Sequence, residues 1–456
     1  MRRPVSALPL ALLLAGCTVG PQYKKPAVDV PPAYRGEAPG TAAGAPSFGD
    51  EKWWTVFQDE ELQKLIRTAL QQSFDVRLAA TRVLEAQAQL GITHSAQLPS
   101  VGATAGYASQ KIPGFGFNVI QLAGSFSWDL DFWGKYRRAT EAARATLLGT
   151  EWGRREVRST VVSNVAAAYF QLREFDLELE IAKRTLAARH ESLQLTETLS
   201  NGGAAPLLDV RQAQQLVETA AETIPDLERL IEQQENLIAT LLGQNPGAVP
   251  RGRELTAQPL PPNVPPGLPS ALLERRPDIH RAEQQLIAAN AEIGVAKAAY
   301  FPDISLTAAG GVESPALAHL FTGSAGVWNL AAAAAQPIFT AGRLRSNVRL
   351  AEAQEQQALL EYQQTIQQAF RQVSDSLIAY RKFREFREHQ ERLAAAAEDA
   401  ANLSETRYKG GVASYLEVLT NETNYFSAQL NLARARLNER ISLVQVYNAL
   451  GGGWAQ

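Results

Sequence analysis

Hydrophobic positions follow two different periods along the chain, and the change between them predicts its elements. In "LAGSFSWDLDFW", Leu122, Phe126, Trp128, Leu130 and Phe132 alternate with Ser125, Ser127, Asp129 and Asp131, the period of two expected of a strand. "DISLTAAGGV" repeats this more weakly, with Ile304 and Leu306 against Ser305 and Thr307. Elsewhere the spacing lengthens to threes, fours and sevens: Val161, Val165, Ala168, Leu172, Phe175, Leu179, Ala182, Leu186 and Leu193, then Val210, Ala213, Val217, Ala220, Ile224, Leu227, Ile231, Ile238 and Leu241. That spacing predicts helices packed along their length. The proline-free stretches between Gly134 and Gly202 and between Gly342 and Gly410 each hold about 67 residues. At roughly 1.5 Å per residue such a helix reaches about 100 Å and needs a partner throughout. Each stretch runs into a Gly-Gly pair, so the pattern predicts two antiparallel helical hairpins with glycine tips.

The chain states its plan twice. "NGGAAPLLDV" at 201–210 returns as "KGGVASYLEV" at 409–418, and Gly134, Gly202, Leu208 and Gly243 match Gly342, Gly410, Leu416 and Gly451 at the same interval of 208 (410 − 202). Upstream, Pro99 and Pro302 differ by 203, which places insertions between the prolines and the glycines. The expected organisation is a leader at 1–16, an N-terminal segment at 17–52, a first repeat at 53–243 with strands at about 100–132, a Pro-rich linker at 244–267, a second repeat at 268–451 with strands at about 303–339, and a tail at 452–456. In the second hairpin the stripe Leu416, Leu419, Phe426, Leu430, Leu437, Ile441 and Val444 is more broken by polar residues. Pro225, whose counterpart is Ala433, predicts a kink or interruption in the first.

Composition narrows the classes of function. The 456 residues are 45% hydrophobic with a formal net charge of -3 and no run of like charge, which argues against a nucleic-acid partner. One cysteine and one methionine supply neither a disulfide framework nor soft metal ligands. The opening "MRRPVSALPLALLLAGCTVG" reads as a secretory signal too short to span a membrane. Its "LAGC" resembles the lipobox of bacterial lipoproteins, which implies cleavage after residue 16 and acylation of Cys17; Thr18 favours the outer membrane. No "GxxxxGK[ST]", "HExxH" or "GxSxG" is present, and His94, His190, His280, His319 and His389 are scattered. No catalytic residue, metal site or cofactor is expected.

The alternating segments suit a half-buried soluble sheet or outer-membrane barrel strands equally well. Two per repeat give four strands per chain, whereas the smallest closed membrane barrels need about eight. Open edges leave backbone groups unsatisfied in lipid, so strands in the membrane require several chains to pool them.

The lipobox followed by "GPQYKKP", then "WWTVFQDEELQKLI", "GLPSALLERRPDIHRAEQQLIAANAEIGVAKAAYFPDISL", "QPIFTAGRLRSNV" and "RYKGGVASYLEVL", resembles the TolC-type outer-membrane channel family in its lipoprotein efflux branch, over essentially the whole chain from Cys17. The resemblance implies a mixed α and β membrane protein: a homotrimer with a twelve-stranded β-barrel and a periplasmic α-barrel of coiled-coil hairpins. It implies a passive exit duct in outer-membrane lipid, docked to a periplasmic adaptor and an inner-membrane transporter of the resistance-nodulation-division class. By the same resemblance, Gly202, Gly203, Ala204, Ala205, Gly410, Gly411, Val412 and Ala413 form adaptor-facing tips, and Leu416 lies at an apolar constriction. Thr420 stands where many relatives carry an acid, and Glu417 offers the negative charge instead. Asp129 and Asp131 are further candidates for lumen charge. One-step protein secretion, a lipid-anchored coiled-coil spacer and a secreted hydrolase are the alternative readings; the last lacks a catalytic constellation. The cargo is not legible in the sequence.

Overall fold

The computed structural model describes residues 18–37, 46–261 and 264–454; the leader and Cys17 lie outside the described residues. In chain order the helices are α1 (Trp53–Val56), α2 (Glu60–Gln72), α3 (Phe74–Ser95), α4 (Lys135–Asn201), α5 (Leu207–Leu241), α6 (Pro269–Arg275), α7 (Pro277–Ala298), α8 (Arg343–Lys409) and α9 (Tyr415–Ala449). The strands are β1 (Ser100–Ile112), β2 (Phe115–Leu130), β3 (Asp303–Ser314) and β4 (Gly326–Ala335). The duplication is exact in element length: α3 and α7 have 22 residues each, α4 and α8 have 67, and α5 and α9 have 35. The drift from 203 to 208 falls in the β-hairpins and their exits. Residues 113–114 join β1 to β2, whereas 315–325 join β3 to β4, and the exits to the long helices are 131–134 and 336–342.

The chain divides into two compact units. The first comprises Met1–Val28, Thr81–Trp152 and Ile279–Thr365, and the second Asp29–Ala80, Gly153–Asp278 and Ile366–Gln456.

The first unit holds an antiparallel sheet of order β1-β2-β3-β4. Register turns the alternation into two chemically distinct faces. Val101 pairs with Phe126, Leu122 with Val312, Trp128 with Leu306 and Gly310 with Trp328, all on one apolar face. Thr104, Ser125, Ser127, Asp129, Ser305, Thr307 and Asn329 share the other. Among the described residues the apolar face is uncovered, with Val101 80%, Trp328 83% and Leu330 74% exposed. Among the described residues β1 and β4 each have one partner, so both edges are open. The chain after Cys17 is tied to this unit. Val19 N–H donates to the Trp133 carbonyl at 3.1 Å, and Tyr23 and Lys25 both bond Glu283 at 3.2 Å. Trp133 stacks on Phe301 at 4.7 Å and donates to the Pro302 carbonyl at 2.9 Å. Parts of the long "RRPDI…AE…FPDISL" run therefore act as fasteners.

In the second unit Val161, Val165, Leu172 and Ala182 are buried, as the helical spacing predicts. The stripe is not purely apolar: Glu174, Glu178, Arg189, Ser192 and Thr196 on α4 are buried too. α5 is not interrupted at Pro225, the helix being continuous from Leu207 to Leu241. Two polar hubs order the rest. Asp59 is 1% exposed and accepts from the N–H groups of Glu61, Leu62 and Arg253, the Tyr169 hydroxyl and the Gln258 amide. Arg276 donates to the Ala449 carbonyl at 2.9 Å, where α9 ends, to Asp278 at 2.6 and 2.9 Å, and to Gln372 at 2.8 Å.

Candidate functional site

The two tips have one backbone design. α4 gives way to Gly203 at φ +72° and α8 to Gly411 at φ +71°. Ala204 N–H then reaches back to the Leu199 carbonyl at 2.8 Å, and Val412 N–H to the Arg407 carbonyl at 3.0 Å. These are the six-to-one bonds of a Schellman helix end, which needs a left-handed residue. Among the described residues nothing lies within 4 Å of a Cβ built on either glycine, so the requirement is backbone conformation and not space. Gly202, Gly203, Ala204, Gly410, Gly411 and Val412 are exposed, and Ala205 and Ala413 are half-buried.

The helices leaving the tips differ. Leu207 and Leu208 begin α5 with 63% exposure each, whereas α9 begins with Tyr415 at 1% and Leu416 at 57%. Tyr415 packs with Ala213, Leu216 and Val418, shares a hydrogen bond of 3.2 Å with Ser192, and meets Tyr408 edge-on at 5.1 Å. Tyr408 in turn donates its hydroxyl to Asp209 at 3.1 Å. Burial, and then the bond to Asp209, push the Tyr408 hydroxyl up to about 12. α8 of the second hairpin is thus pinned to α5 of the first just behind the tips.

Asp209 corresponds to Glu417 across the repeat of 208, and the two acids have different work. Glu417 pairs with Arg407 at 3.0 Å across the α8–α9 hairpin, both side chains well exposed, so the pair contributes about 0–1 kcal/mol and leaves the carboxylate open to solvent. Thr420 is exposed and donates to the Leu416 carbonyl at 2.8 Å. The structure therefore gathers Leu416, Glu417 and Thr420 on one turn of α9. It also sets Tyr408 and Asp209, which sequence reasoning passed over, beside Tyr415. The signal was present in the two decamers: an acid aligned with an acid, and a tyrosine aligned with a leucine.

In the first unit the other candidates separate. Asp129 lies on the polar face of β2, opposite Ser305, and accepts from the Tyr136 hydroxyl at 3.1 Å. Asp131 stands past the end of β2. It accepts the N–H groups of Tyr136 at 3.2 Å and Arg137 at 2.9 Å, and the Arg137 guanidinium at 3.3 Å. A carboxylate on the free N–H groups of a helix start is a cap, so the charge of Asp131 is largely consumed by α4. Among the described residues no group of three or more His, Cys, Asp or Glu side chains is placed to hold a metal.

A sheet with one lipid-compatible face and two open edges, on a chain that also builds two long helical hairpins, defines a subunit of a multi-chain outer-membrane channel. The model of the outer membrane efflux protein family matches residues 65–244 and 268–452, and the chain belongs to that family. It is 35% identical to the cation efflux system protein CusC of Escherichia coli over 99% of this chain and all of that one. It is 37% identical to the probable efflux pump outer membrane protein TtgC of Pseudomonas putida over 97% of this chain and 94% of that one. A crystal structure of a membrane protein from Pseudomonas aeruginosa superposes with a TM-score of 0.89 at 32% identity, covering 96% of this chain and 98% of that one. The chain is a passive conduit and not an enzyme.

Proposed function

We propose that three copies pool their sheets into one twelve-stranded barrel that spans the outer membrane, and that the helical hairpins continue the duct into the periplasm. The sheet carries this reading: β1 and β4 are open edges that strands of neighbouring copies close, and the bare apolar face suits contact with lipid. Ile338 and Phe339, after β4, are 90% and 89% exposed and extend the uncovered apolar surface. Cys17 carries the lipid anchor, and residues 53–243 and 268–451 are the two repeats. The duct takes cargo from a periplasmic adaptor and an inner-membrane transporter of the resistance-nodulation-division class. Its cargo is small molecules or metal ions, consistent with relatives named for cation efflux and for an efflux pump. Gly202 to Ala205 and Gly410 to Ala413 are the adaptor-docking tips. Purified protein added to a planar bilayer is expected to give stepwise current; a preparation that inserts without conducting would overturn the reading.

Leu416, Glu417 and Thr420 line the periplasmic aperture, with Asp129 a second source of lumen charge. A ring of carboxylates favours cations. Glu417→Lys is expected to move the reversal potential in a salt gradient toward anion preference; an unchanged potential places Glu417 away from the conducting path. Leu416→Ser is expected to raise the residual current of the closed channel several-fold, because an apolar constriction holds back water and ions by dewetting. A closed state as tight as the parent would assign the constriction elsewhere.

A further inference from the structure

The four strands do not end level. β3 closes at Ser314, opposite Ile120, and β4 starts at Gly326, opposite Val312. Past that level β1 and β2 run on as a pair: the ladder continues from Ala108 opposite Val119 to Ile112 opposite Phe115, and residues 113–114 make the turn. At roughly 3.3 Å per residue this hairpin stands about 15 Å beyond the rest of the sheet, at the end away from the α3–β1 and β2–α4 junctions. The two faces exchange character at the same level. Between Val101 and Tyr107 on β1 and between Trp128 and Ile120 on β2, one face carries Val101, Tyr107, Ile120, Leu122, Phe126 and Trp128, a stretch close to the ~9–11 residues with which a strand crosses a membrane. Beyond it that face holds Ser109, Lys111 and Asn118. The opposite face, which carries Ser125, Ser127 and Asp129, turns from polar to Ile112, Phe115, Phe117 and Val119.

Among the described residues little covers these apolar side chains: Ile112 is 50%, Phe115 61% and Phe117 41% exposed, with the two phenylalanine rings 5.9 Å apart. Lipid does not supply the cover. The lipid-compatible band stops short of them at Tyr107 and Ile120, and they lie on the other face of the sheet. Water is a poor surrounding for clustered rings. In a barrel of three chains the inward faces of the projecting hairpins have one further surface to meet, the same faces of the other two copies across the axis.

We infer that the three β1–β2 hairpins turn in over the outer mouth of the barrel and meet through Ile112, Phe115 and Phe117, forming an apolar constriction at the extracellular end in series with the periplasmic aperture. This rests on the reading of the chain as one third of a barrel. A narrow apolar ring holds back water and ions by dewetting. Each hairpin is held there by its own two-stranded ladder alone, a weakly stable arrangement, so it swings aside for cargo arriving from within the duct. Lys111, on the outward face, keeps the three like charges apart and in water.

The test places a cysteine on each face of the hairpin, Phe117→Cys inward and Lys111→Cys outward, in protein expressed in intact cells and oxidised with copper phenanthroline. Phe117→Cys is expected to give a disulfide-linked dimer on a non-reducing gel, because one bond joins two of three chains, in several-fold higher yield than Lys111→Cys. Phe115→Cys, on the same face as Phe117, should repeat the result. In a planar bilayer the open steps of oxidised Phe117→Cys are expected to be several-fold smaller than after reduction with dithiothreitol, whereas those of Lys111→Cys should not change. Equal dimer yields from the two faces, no dimer from either inward position, or open steps indifferent to reduction overturn the constriction. Native mass spectrometry of the same preparations separates the two ideas: a trimer without inward cross-links removes only the constriction, and absence of a trimer removes the barrel as well.

Discussion

Asp59→Ala is expected to cost the second unit about 3–5 kcal/mol, because it strips a fully buried carboxylate from five donors and leaves them unpaired away from water. The partners come from distant parts of the chain: the start of α2, Tyr169 on α4, and Arg253 and Gln258 in the linker. Faster hydrogen exchange is therefore expected both at the start of α2 and at residues 250–258, and unchanged protection of the linker would show that the hub does not hold it. Burial alone raises the Asp59 carboxyl, but the bonds from Gln258, Arg253, Leu62 and Tyr169 outweigh burial and hold it below the usual carboxylate range. The sign follows from that depression. The stabilisation is fully present above the unfolded carboxylate value of about 3.9 and is lost as pH falls through the lower folded value. The parent should therefore lose stability on acidification below about pH 4 in a component that Asp59→Ala no longer shows.

Tyr408→Phe is the second large effect. It removes a hydroxyl-to-carboxylate bond of 3.1 Å between α8 and α5, worth about 1.5–3 kcal/mol. If that bond exists only with the tips together, its loss shifts the equilibrium between closed and open about ten- to a hundredfold toward open. Single-channel open probability should rise accordingly. Asp209→Asn should act alike, and the double variant should add little, since both remove one bond. Independent, additive effects would mean that the two side chains act through other partners. Because the folded Tyr408 value is raised to about 12, the bond is complete through the neutral range and is lost only as pH rises toward that value.

Much of this architecture was legible because two physical periods are hard to confuse over long stretches. The spacing of threes and fours located the long helices, and the Gly-Gly pairs located their ends, where only a left-handed residue completes the cap. The alternation located the strands but left their surroundings open; register then placed Trp128, Leu306 and Trp328 on one face. Alternation also ran on through Asp131 and Phe132, whereas β2 ends at Leu130. The Asp131 carboxylate gathers the first N–H groups of α4, a local contact that a count of apolar positions does not register.

What stayed hidden depends on residues far apart in sequence. Arg189, Ser192 and Thr196 sit in the buried stripe of α4, but only Leu216, Tyr415 and Glu422 on other helices make a polar interior tolerable there. Glu174 is raised to about 8 by burial and by Glu178, a carboxyl held toward its neutral form on a helix face that reads as charged in sequence. Tyr408 and Asp209 are 199 residues apart, so no local pattern could join them. At Pro225 the helix is not interrupted. A proline removes one backbone donor from a helix of 35 residues, and the packing of Ile224, Leu227 and Leu230 with the neighbouring core maintains helix on both sides.

Native mass spectrometry of the detergent-solubilised mature protein tests most directly whether open-edged sheets are completed by neighbouring copies. A particle of three chains is the expected result. A monomer or dimer as the only species under conditions that preserve the fold would contradict closure of the barrel by three.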